Sequence, residues 1–257
     1  MRIVLTIGLL SFFILSFGQS SNKMVFIKGG TYVPLFSLKA GKVNVKSFYM
    51  DMYPVTNFEF QQFVNQYPEW QKQNVKAIFA DKNYLKNWSM NNQIGKNANQ
   101  LKNTPVVYVS WFAAKKYCEC QGKRLPTIDE WEFVGRASQT KMDATNEPAF
   151  LQQILDWYAK PTPSILNNVG IGFKNVYGLY DIHGLVWEWN LDFIAALSIK
   201  DSRDGNNLNS TEFCGAASNN SSTPQNYAAF MRYAMRSSLK ANYSQPNLGF
   251  RCVKEVK

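Results

Sequence analysis

The chain has 257 residues, 46% hydrophobic and only 18% charged, which excludes a disordered chain and allows a sizeable core. A formal charge of +10, from 28 Lys and Arg against 18 Asp and Glu, comes without any long basic block. It therefore reads as a solvated basic surface or as a face for an acidic partner, a glycan or a membrane. The single histidine, His183, excludes any centre that needs two or more histidines from one chain.

Residues 1–18 read as a secretory signal peptide. Arg2 supplies the positive start, residues 3–17 form an apolar run, and Ser16-Phe17-Gly18 places small residues at the cleavage positions. A membrane span needs about 20 apolar residues, which this run lacks, and no later stretch reads as transmembrane. Residues 19–257 then form the folded domain. The expected location is secreted or periplasmic, with outer-membrane association open, and nucleic acid is not an expected partner.

From there the elements follow in order. Residues 24–27 read as a strand, Gly29-Gly30 as a tight turn with positive φ, and residues 31–33 as the hairpin partner. Residues 43–50 alternate as a further strand. Thr56-x-x-Glu59 is a capping box opening a short helix with Phe60, Phe63 and Val64 on one face. Residues 68–104 are polar and read as a long loop anchored by Trp70, Tyr84 and Trp88. Residues 105–109 form a strand-like run. Ser110 then caps a helix to about Cys120, stopped by Gly122. Thr127-x-x-Glu130 is a second capping box, ahead of Trp131, Phe133 and Val134. A helix is expected around residues 150–158. Residues 168–189 are rich in Gly and aromatics, with Trp187 and Trp189 read as core, as is Trp131. Residues 201–226 form an Asn- and Ser-rich loop, and residues 248–253 a closing strand. Nothing marks a linker, so the class is one α+β domain with few helices and much loop.

Cys118, Cys120, Cys214 and Cys252 allow three full pairings in an oxidising compartment. Cys118-x-Cys120 is too tight for a usual zinc pair, and on a helix the two point to opposite sides.

Six motifs share one order. They are Met24-Val25-x-Ile27-x-Gly29-Gly30-Thr31, Phe48-Tyr49-Met50-Asp51-x-Tyr53-Pro54-Val55-Thr56-Asn57 and Pro105-Val106-x-x-Val109-Ser110-Trp111. Then come Gly122-Lys123-Arg124-Leu125-Pro126-Thr127-x-x-Glu130-Trp131-Glu132, the Asn175 to Trp189 stretch ending Val186-Trp187-Glu188-Trp189, and Asn247-Leu248-Gly249-Phe250-Arg251-Cys252. In this order the chain resembles the formylglycine-generating enzymes, or sulfatase-modifying factors, over nearly all of residues 24–254. The resemblance implies a compact, irregular fold related to C-type lectins.

It also implies a disulfide between Cys118 and Cys252, leaving Cys120 and Cys214 as a second bridge or as free thiols. It implies a calcium site along Asp181, Gly184, Val186 and Glu188, where hard oxygen ligands could wrap one ion. Active members oxidise a cysteine of a target peptide with copper held by two cysteines, soft ligands that suit Cu(I). Those cysteines would lie between a turn matched by residues 214–218 and a strand matched by Met235-Arg236-Ser237, and this chain has no cysteine between Gly215 and Arg251. Copper is therefore not expected, and Arg251 reads as a buried ion pair or carbonyl clamp.

The expected function is a non-catalytic binding or scaffold component of the cell envelope, similar to gliding-motility and type IX secretion members of the family. Its partner would be a protein, a peptide or a glycan. Asn219, Asn220, Tyr227 and Arg236 are the candidate binding residues. The alternative is a formylglycine-generating oxidase or maturation enzyme acting on a cysteine-containing peptide.

Overall fold

The computed structural model of the chain describes residues 23–35, 41–89, 94, 98–193 and 223–256. The expected signal peptide, Cys214, Asn219, Asn220 and most of the 201–226 loop lie outside them.

The domain opens as one long, interrupted hairpin. Strands β1 (Met24–Ile27) and β2 (Gly30–Tyr32) run against β3 (Val43–Val45) and β4 (Phe48–Asp51). One register holds throughout: Met24 lies opposite Asp51, Ile27 opposite Phe48, Gly30 opposite Val45 and Tyr32 opposite Val43. This corrects the expected turn at Gly29-Gly30, since neither glycine has positive φ. Gly29 serves close approach instead. A Cβ there would run into the Val45 carbonyl oxygen, and its N–H reaches Ser47 Oγ at 3.0 Å.

β4 is the middle of a three-stranded antiparallel sheet, with β7 (Val253–Glu255) on its other side. Alternation buries Ile27, Phe48, Met50 and Val253 against Trp131, Val134 and Leu179. β6 (Leu248–Gly249), just before β7 in the chain, pairs in parallel with β5 (Trp187–Glu188). The expected strand over 248–253 is thus split, because Phe250, Arg251 and Cys252 leave the ladder.

The helices begin where side chains can cap them. α1 (Asn57–Gln66) and α4 (Ile128–Gly135) each show both contacts of a capping box, at Thr56/Glu59 and Thr127/Glu130. α2 (Ala98–Leu101) is a single turn. α3 (Trp111–Cys120) is capped by Ser110 and stops at Gly122, which takes φ 65°. α5 (Pro148–Ala159) and α6 (Pro224–Ser237) both start on proline. Phe60, Phe63 and Val64 of α1 pack with α3, Tyr84, Trp88, Trp189 and Phe250 in the main core. The polar loop is tied down by the Trp88 indole N–H, which donates to Asn57 Oδ1 at 2.8 Å.

Residues 105–109 are not a strand. Val106, Val107 and Val109 are buried, and Tyr108 takes φ 58°. The Val106 N–H donates to Val55, the Tyr108 N–H to Gln245, and the Tyr108 carbonyl accepts from Leu85. A run buried on all sides carries no alternation to reveal its path. Met235-Arg236-Ser237, expected as strand, closes α6 instead.

Cys118 and Cys252 are disulfide-bonded, with Cα atoms 5.7 Å apart. Among the described residues Cys120 has no disulfide partner; its candidate partner, Cys214, lies outside them. Among the described residues, no helix is long and apolar enough to cross a membrane.

Candidate functional site

α4 and α6 bring one carboxylate and two guanidinium groups together. Glu132 accepts from Arg232 Nη2 at 2.8 Å and from Arg236 Nη1 at 2.6 Å. Arg232 also donates to the Tyr158 hydroxyl of α5 at 3.3 Å, and Arg236 Nε to Asn190 Oδ1 at 2.8 Å. Both guanidinium groups lie over the Trp131 ring, 5.9 and 5.0 Å from its centroid. Burial alone would raise the Glu132 pKa, but the two arginines hold it down at about 2. Burial instead pushes the Tyr158 hydroxyl up, against the lowering charge of Arg232.

The Trp131 indole N–H donates to Glu188 Oε2 at 2.8 Å, which links this cluster to a second one. There Arg251, fully buried, donates to both Glu188 oxygens and to the carbonyls of Asp51, Met52 and Tyr180. Arg251 is therefore at once the ion pair and the carbonyl clamp that its place beside Phe250 suggested. It fastens the end of β4, the Tyr180 turn and β5 to one another.

These contacts bear on the calcium set. Both Glu188 oxygens already accept from Arg251 or Trp131, so a cation would share them with a buried guanidinium. Asp181, at φ 58°, accepts from the Gly170 N–H at 2.6 Å and from the backbone of Gly172. Burial pushes the Asp181 pKa up, against those N–H groups and the charge of Arg251. Val186 is buried in an apolar cluster with Leu166 and Leu185. Among the described residues no group of three or more His, Cys, Asp or Glu is gathered for a metal. Glu188 is thus engaged by Arg251 and Trp131, and Asp181 by backbone N–H groups, while Gly184 and Val186 would offer only backbone carbonyls to an ion.

His183 lies between Trp131 and Phe150, with ring centroids 5.4 and 5.8 Å away. Its Nε2 sits 2.7 Å from the Gly135 carbonyl and so carries the proton, while Nδ1 is buried without a hydrogen-bond partner. Burial lowers its pKa to about 3.

Beside these clusters runs a groove of about 900 Å³. One wall is α5, with Gln152, Asp156, Trp157 and Tyr158, and the floor is Gly184 to Trp187 with Leu166. Trp187 stacks on Tyr158 at 5.0 Å and 21°, and meets Trp157 at 5.0 Å and 42°. Trp187 is thus a half-buried groove residue and not the core residue expected, whereas Trp131 and Trp189 are core. The Tyr158 hydroxyl, through Arg232, fixes this aromatic wall to the buried cluster.

Of the candidate binding residues, Tyr227 is exposed on α6, and Arg236 is buried and spent on Glu132 and Asn190. Asn219 and Asn220 lie outside the described residues. Sequence reasoning missed Trp157, Tyr158 and Trp187 as a set. The one signal for them was the adjacent aromatic pair on a predicted helix.

The chain matches the sulfatase-modifying factor enzyme 1-like domain over residues 16–256. It is 27% identical to a Bos taurus protein named inactive C-alpha-formylglycine-generating enzyme 2, across 91% of this chain and 88% of that one. It is 29% identical to the formylglycine-generating enzyme of Mus musculus, across 83% of this chain and 67% of that one. Among solved structures, CarF superposes with a TM-score of 0.50 at 15% identity, covering 91% of this chain and 98% of that one, which indicates a shared fold.

Proposed function

Because this chain belongs to the sulfatase-modifying factor enzyme 1-like domain family, we propose that it is an exported, non-catalytic binding or scaffold protein of the cell envelope. In this reading it holds a protein or peptide partner along the Trp157–Trp187 groove. One observation carries the reading. The stretch that would hold copper through two cysteines contains none, and its described part is α6, which turns Arg232 and Arg236 inward onto Glu132. Without thiolates that stretch offers no pair of soft ligands to Cu(I). The residues present do not fit copper, and the existence of a relative named inactive supports the same view.

The test uses purified mature protein with Cu(I), oxygen and a Cys-x-Pro-x-Arg peptide, read by mass spectrometry beside an active family control. No conversion is expected. Conversion overturns the reading in favour of an oxidase acting on a cysteine-containing peptide. A partner captured by the parent protein and lost by Trp157→Ala, with unchanged circular dichroism, locates binding in the groove.

A further inference from the structure

The turn at residues 77–79 carries two adjacent apolar residues outward. Ile78 is 71% exposed and Phe79 36% exposed. The turn is held rigidly from below. The Phe79 and Ala80 N–H groups both donate to the Lys76 carbonyl, and the Phe79 ring packs on Trp70 at 5.9 Å and Phe112 at 5.3 Å. The Asp81 N–H donates to Asn242, and the Trp111 N–H to Ala241. The turn, the first turn of α3 and residues 240–243 are therefore neighbours.

These three segments are rich in one charge. Residues 69–86, 111–120 and 240–243 hold Lys72, Lys76, Lys82, Lys86, Lys115, Lys116 and Lys240, against Glu69, Asp81 and Glu119. Asp81 is turned to the backbone N–H groups of Asn83 and Ser244, and Glu119 is paired with Lys115. Lys76, Lys82 and Lys240 are exposed, and Lys116 lies one helical turn from Phe112 on the same face. None of these four forms an ion pair among the described residues.

An exposed apolar pair in a lysine-rich neighbourhood suits an anionic lipid surface: the apolar side chains enter the headgroup layer while the neighbouring ammonium groups meet anionic headgroups. We propose that the chain docks reversibly on anionic lipid surfaces through Ile78 and Phe79, with Lys76, Lys82, Lys116 and Lys240 as the cationic rim. This surface shares no lining residue with the aromatic groove, so it stands or falls independently of it.

The test is sedimentation of the mature protein with phosphatidylcholine vesicles, with and without about one-third phosphatidylglycerol. Binding is expected to the anionic vesicles only and to weaken with salt. Ile78→Asp touches a side chain that is mostly in water and is expected to lower partitioning about tenfold with unchanged thermal melting. The pair Lys82→Glu with Lys240→Glu is expected to do the same and to remove the salt dependence. Trp157→Ala, in the groove, leaves vesicle binding intact. Absence of binding to anionic vesicles, or equal binding by parent and Ile78→Asp, overturns the proposal, and an acidic protein is then the occupant to seek.

Discussion

His183 is the chain's one histidine, buried between two aromatic rings with one ring nitrogen unpartnered. Its folded pKa of about 3 lies below the unfolded value of about 6.5, so the folded state favours the neutral ring. Stability from this group is complete above about pH 6.5 and falls as the unfolded chain takes up the proton first. Glu132 behaves in the same direction at lower pH. Its folded pKa of about 2 lies below the model-peptide carboxylate value of about 4.3, so its contribution is lost as pH falls from about 4.3 through about 2. The contributions of His183 and Glu132 are therefore expected to be lost in two stages. Between pH 6.5 and 5 the histidine alone removes about 2 kcal/mol. Urea midpoints across that window check this, and His183→Gln, which keeps an N–H for the Gly135 carbonyl, is expected to flatten the first stage and leave the second. A first stage that survives the substitution removes His183 as its cause.

At the scale of elements, the α4–α6 contact rests on charge where most helix pairs rest on apolar ridges. Glu132→Gln leaves two largely buried guanidinium groups facing a neutral amide, and breaking such a pair from one side costs about 3 kcal/mol or more. The expected result is a lower urea midpoint together with loss of the Trp131 cation–π signature in near-ultraviolet circular dichroism. An unchanged midpoint would mean that α6 is held by other contacts. The same chemistry explains what the sequence concealed. α1, α3 and α4 were legible because Thr56, Ser110 and Thr127 cap them locally, with a carboxylate three residues on at two of them. α6 was hidden because the arginines Arg232 and Arg236, which by sequence mark a solvent face, are the ones it turns inward. The long hairpin was misread at Gly29, where a glycine chosen for close approach looks like one chosen for positive φ. The groove was not legible either, since α5, the Gly184 to Trp187 floor and Asn247 meet only through tertiary packing.

The whole molecule is closed by its last strand. β7 completes the sheet that β1 and β4 begin, Arg251 clamps three segments just before it, and Cys252 is bonded to Cys118 at the end of α3. First and last segments therefore stabilise each other, and together they close the sheet around which α1 to α6 are arranged in the chain. In the chain-entropy account, a disulfide spanning 134 residues restricts the unfolded ensemble by about 5 kcal/mol, comparable to the total stability of many domains. Reduction, or the double substitution Cys118→Ala with Cys252→Ala, is expected to lower the melting temperature by well over ten degrees. It should first free the β7 amides in hydrogen exchange, because that strand would then be held by the β4 ladder, the Arg124–Val253 backbone pair and the Arg251 clamp just before it, without a covalent tie. Cys120, with no disulfide partner among the described residues, supplies the control: Cys120→Ala alone leaves the melting temperature unchanged. Equal melting of the double variant and the parent would show instead that the Arg251 clamp and the β4–β7 ladder suffice to close the fold.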